Sequence, residues 1–144
     1  MSEDSLVARL NMIDAEIRHE DDLIGQRISW LVIAQSFLFG TLATLIGLRP
    51  IAGAEGTVRI LLILIPLVGA LLPVLVLVAV AAANYAMKQW RAEFERIREM
   101  PEARQLDWPH LRHRRLVTVL GHLLPIAVSV GFFLAWVVIL SKME

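Results

Sequence analysis

The chain has no cysteine at all. Disulfides, thiolate metal sites, cysteine nucleophiles and cysteine palmitoylation are therefore excluded. A second absence is more telling. Three long tracts, ISWLVIAQSFLFGTLATLIGL (28–48), ILLILIPLVGALLPVLVLVAVAAA (60–83) and LVTVLGHLLPIAVSVGFFLAWVVIL (116–140), contain no Asp, Glu, Lys or Arg. A charge at mid-bilayer costs roughly 2.5 to 3.5 kcal/mol or more, and about 20 apolar helical residues cross a ~30 Å hydrocarbon core. No Walker loop, GxSxG elbow, HExxH or intramembrane Asp pair occurs, so no enzyme is expected, and no cofactor. The basic loop mixes both signs too evenly for a nucleic-acid surface.

What is present fits a membrane protein. Of 144 residues, 57% are hydrophobic and 19% charged, too apolar a balance for a soluble chain of this size. We expect an all-α integral membrane fold in one membrane domain: three transmembrane helices with cytoplasmic helical extensions that pack as a small bundle. The N-terminus is acidic, and no small-residue cleavage site follows the first tract, so it is expected to remain attached. Lys and Arg divide eleven to three between the two sides. Arg9, Arg18, Arg27 and the eight bases of the 84–115 loop oppose Arg49, Arg59 and Lys142. That bias puts the N-terminus in the cytoplasm and the C-terminus on the periplasmic or extracellular face.

Residues 1–25 read as an amphipathic helix, with Leu6, Leu10, Ile13, Ile17 and Ile24 on one stripe. Gly25 marks either a kink or a helix that runs on into the first span. RPIAGAEGT is a short turn that makes the first two spans antiparallel neighbours. The second span continues as a cytoplasmic helix to about 99, with Met87, Trp90, Phe94 and Ile97 on its stripe and no breaker before Pro101. Neither stripe can stay exposed in water, so the two are expected to pack on each other, within a protomer or between protomers. Charge favours the pairing, because residues 1–22 carry a net of minus five and residues 84–115 plus three. Asp107, Trp108 and Pro109 read as the start of a third helix over 108–140, containing the span 116–140.

Several residues are candidates for chemistry. Gln35 brings a primary amide into hydrocarbon and must find a partner. Pro66 and Pro73 lie on nearly one face, with Gly69 between them, and each frees a carbonyl that needs another donor; Pro125 does the same in the third span. These sites are either structural kinks or hinges for gating. His122 is the one ionisable group inside a span, either a proton relay or a neutral imidazole hydrogen-bonded to a neighbour. Glu20, Asp21 and Asp22 would form an acidic collar at the cytoplasmic mouth of a symmetric oligomer, and in a monomer only a solvated turn. His110 and His113, with His19, have a spacing compatible with metal, but match no specific signature, and no metal is assigned. Small residues recur at four-residue intervals at Ser36, Gly40 and Thr44 and at Ala127, Gly131 and Ala135. These faces serve helix packing inside the protomer or an oligomer interface. Trp30, Tyr85 and Trp90 suit the headgroup belt.

The run HEDDLIGQRISWLVIAQSFLFG resembles the first helix of small, mostly uncharacterised bacterial inner-membrane proteins, which share its His-Glu pair, Arg, Trp and Gln-x-Phe-Leu-Phe element. The resemblance implies a bacterial inner membrane and transfers no activity. The leading expectation is a homo-oligomer forming a small ion-conducting pore, with Gln35, Glu20, Asp21, Asp22, His122, Pro66 and Pro73 along the polar path; the alternative is a non-conducting scaffold or accessory subunit whose cytoplasmic helices recruit a protein partner. A His122-dependent proton or metal transporter is a third possibility. Expected partners are the lipid bilayer and further copies of the chain.

Overall fold

The computed structural model describes residues 3–47, 54–101, 103 and 115–142, with the backbone course alone at 3 and at 115–122. Among the described residues there are three α-helices: α1 (Glu3–Gly47), α2 (Glu55–Arg98) and α3 (Arg115–Ser141). Each is long and apolar enough to cross a membrane. α1 has 45 residues and α2 has 44, so each is about 66 Å long, roughly twice a hydrocarbon core. Half of each helix therefore forms a second, more polar region, here termed the stalk. α2 is central and packs on both neighbours, which touch one another much less.

α1 runs through Gly25 without interruption. A single glycine costs a helix only about 1 kcal/mol, and no proline removes a backbone donor from α1, so nothing forces a kink. α2 likewise continues through Pro66 and Pro73. It ends at Arg98, three residues before Pro101, whose ring disfavours helical geometry in the residue preceding it. The predicted helix start at Asp107, Trp108 and Pro109 lies outside the described residues.

In the stalk the two apolar stripes meet within one protomer. Leu6, Leu10 and Ile13 of α1 bury against Phe94 and Ile97 of α2, with Ile17 and Trp90 packed on them. Nearer the apolar half, Ile24 packs with Val80, Ala83 and Met87. Full burial of such side chains contributes roughly 1.5 to 3 kcal/mol each, far more than the exposed charges can. Trp90, expected in a headgroup belt, packs on this cluster instead, whereas Trp30 and Tyr85 are exposed. An ion pair between described residues crosses the stalk at 3.0 Å, from Arg9 to Glu93, which Arg96 also approaches at 3.3 Å. Both ends of the Arg9 pair are partly open to solvent, so Arg9→Gln should lower unfolding stability by less than about 1 kcal/mol, and by less still at high salt. Thermal unfolding in detergent at two salt concentrations measures this. A loss above about 2 kcal/mol would mean that charge, not the apolar stripe, holds the stalk.

Outside the stalk the polarity inverts. Ile33, Phe37, Leu67, Leu71, Leu75, Leu124 and Val138 are all exposed on the surface, a continuous apolar exterior that soluble proteins rarely show.

Candidate functional site

Among the described residues the interior of the apolar half buries two polar side chains, Gln35 and Ser129, and the polar point at Gln35 is built from all three helices. Gln35 of α1 is fully buried, and its Nε2 donates to the Gly69 carbonyl of α2 at 3.0 Å. In an α-helix the carbonyl of residue 69 would accept from the N–H of residue 73. Residue 73 is proline and has no N–H, so the Gln35 amide fills the place of the missing backbone donor. The other end of the amide is used as well, because Trp136 Nε1 of α3 donates to Gln35 Oε1. One side chain thus satisfies a proline-freed carbonyl and an indole N–H that would otherwise be buried unpaired.

Packing fixes the same point. A Cβ added to Gly69 would lie 2.2 Å from Trp136 Cε2, so only glycine lets the indole reach α2. On its other side Trp136 stacks on Phe39, with ring centroids 4.3 Å apart and planes 2° from parallel. Phe39 is one turn beyond Gln35 on α1, so one face of that helix supplies both the amide and the stacking partner. Leu42 and Ile65 bury beside Trp136 and close the layer. Pro66 and Pro73 are themselves buried on the inner face of α2.

The residues expected along a polar path fall in different places. Gln35, Pro66 and Pro73 face sibling helices of the same protomer, not a surface from which a channel between copies would be lined. Asp21, Asp22 and His19 are exposed on the stalk, and Glu20 is half-buried. Among the described residues no group of three His, Cys, Asp or Glu could hold a metal ion. His110 and His113 lie outside the described residues, as does the side chain of His122. The junction itself contains an amide, an indole and a carbonyl. It can orient helices by hydrogen bonding, and it holds no group that titrates near neutral pH.

The small-residue faces turn outward. Ser36, Gly40 and Thr44 are exposed, and an added Cβ at Gly40 or Gly131 would meet nothing within 4 Å. Internal helix packing therefore does not use Gly40 and Gly131; the close approach inside the protomer occurs at Gly69. Ser36, Thr41 and Thr44 each donate to a carbonyl one turn back, at 2.8 Å. With Phe37, Gly40 and Leu45 they line an open groove of about 540 Å³ on α1. Ala127 is exposed and Ala135 half-buried on α3. Trp136 carried no functional expectation. Its place four residues from the outer end of the expected span 116–140 gave no signal of a partnership with Gln35.

The fold and its junction define a class: an all-helical chain whose three packed helices are each long and apolar enough to cross a membrane. No protein-family model, curated protein or solved structure matches it.

Proposed function

We propose that this chain is a multi-pass protein of the bacterial inner membrane that acts as a non-conducting scaffold or accessory subunit. In this reading the stalk stands in the cytoplasm, the C-terminus lies on the far side, and copies associate through their outward small-residue faces. The observation that carries it is the closure of the Gln35 junction. The Gln35 amide and the carbonyl freed by Pro73 are spent on one another inside a single protomer. The outward hydroxyls of Ser36, Thr41 and Thr44 in the apolar half of α1 donate their protons to their own helix, so they have none to offer an anion. The stalk suits recruitment, since two paired helices form a pre-ordered post and an incoming partner need not order it.

The test has two arms. Purified protein in proteoliposomes should pass no ions over a range of voltage and pH, while a protein partner co-purifies with the intact chain and is lost when the stalk residues Asp4, Glu16 and Asp22 are reversed in charge. Measurable flux would overturn the scaffold reading in favour of the pore. In the same preparation Gly40→Leu should leave the protomer folded and reduce self-association, read as particle mass in nanodiscs. An unchanged mass would remove Gly40 from the interface.

A further inference from the structure

Arg27 stands where the stalk meets the apolar half of α1. Its half-buried side chain crosses to α2, where Nη1 donates to the Ala79 carbonyl at 3.3 Å. Among the described residues the ion pairs are Arg9 with Glu93, Arg18 with Asp14, Arg96 with Glu93 and Arg98 with Glu95, and none includes Arg27. A guanidinium carries five N–H donors in a planar fork. One long bond to a carbonyl that already serves its own helix leaves most of that fork open to a bidentate acceptor.

Depth says which acceptor is at hand. From Arg27 to the end of α1 at Gly47 the helix rises about 30 Å, the thickness of a hydrocarbon core, so Arg27 falls in a headgroup layer when the rest of α1 fills that core. Trp30, three residues on along the same flank, is 70% exposed, as an interfacial indole should be. Opposite, Ala79, Ala82 and Ala86 recur at three and four residues along α2, with Ala82 exposed and the other two half-buried. Their side chains are methyl groups, so they put little bulk beside the guanidinium that reaches Ala79.

We infer that Arg27 binds the phosphodiester of a glycerophospholipid where α1 and α2 meet at Ala79, with Trp30 against the glycerol region. This rests on the membrane placement proposed above. Bound there, the lipid fixes the level at which the stalk leaves the bilayer.

The full-length protein, delipidated in mild detergent, is incubated with a dioleoyl phosphatidylglycerol or with a dioleoyl galactolipid that lacks phosphate, and bound lipid is counted by native mass spectrometry. Wild type should favour the phospholipid about fivefold. Arg27→Gln should erase the preference. Arg27→Lys should keep part of it, because an ammonium is a point charge without the fork. Equal preference in wild type and Arg27→Gln overturns the inference, as does loss of bound phospholipid to excess inorganic phosphate, which would make free phosphate the ligand. Should the protein fail to integrate into vesicles, the membrane reading falls and the lipid site with it. Integration with no effect of either Arg27 variant defeats the lipid site alone.

Discussion

Replacing Gly69 with alanine should destabilise the protein by about 3 kcal/mol, although the same change in an ordinary helix interior gains up to about 1 kcal/mol from propensity. The added Cβ meets three atoms of the Trp136 ring at 2.2 to 2.6 Å. That ring is rigid, fully buried and stacked on Phe39, so it cannot yield by a rotamer change. It has to back away from α2, and its Nε1 then leaves Gln35. Steric overlap and a broken hydrogen bond therefore act together, and both exceed the helix gain. Unfolding of the purified protein in mixed micelles measures the loss, and the Trp136 emission should shift as the indole leaves its amide. Gly40→Ala is the contrast, since nothing lies within 4 Å of a Cβ there and the protomer should tolerate it. Equal or greater stability for Gly69→Ala would show that the indole does not occupy the notch.

Gln35→Leu is expected to cost about 2 kcal/mol in the same assay. Leucine fills much of the volume, so the loss is chiefly electrostatic. Two buried groups lose their partner at once, the Gly69 carbonyl and the Trp136 N–H. A buried donor or acceptor left unpaired costs about 1 to 3 kcal/mol. Interhelical hydrogen bonds in membranes average nearer 0.6 kcal/mol, because the separated helices find other partners, and this places the sum toward the lower end. A loss under about 0.5 kcal/mol would mean that the carbonyl freed by Pro73 is satisfied some other way.

Much of the architecture was legible because it depends on periodicity. The stripes Leu6, Leu10, Ile13 and Phe94, Ile97 could be paired in advance, since neither has another way out of water and both project from the same end of adjacent spans. The candidate site was legible only in halves. Gln35 needed a partner and Pro73 left an acceptor vacant, yet joining the two requires the register between antiparallel helices, which no local pattern encodes. Trp136 lies near the end of its span, where an indole suits a headgroup belt as well as a core. The small-residue spacing at Ser36, Gly40 and Thr44 states that another backbone can come close and says nothing of whose backbone it is. Gly69, a single glycine with no such spacing, makes the close contact inside the protomer. Gly25 left the choice between kink and straight helix open, since a residue that permits a kink does not impose one.

The most direct test of the account is a double-mutant cycle between Gln35→Leu and Pro73→Ala, measured by reversible unfolding. Alanine at 73 restores a backbone N–H to the Gly69 carbonyl, so that carbonyl no longer depends on the Gln35 amide. Gln35→Leu should then cost about 1 kcal/mol less in the Pro73→Ala background than in the wild type, the worth of the carbonyl that is no longer orphaned. Additive losses, agreeing to within about 0.3 kcal/mol, would contradict the claim that one glutamine stands in for the proline's missing donor and ties the three helices together.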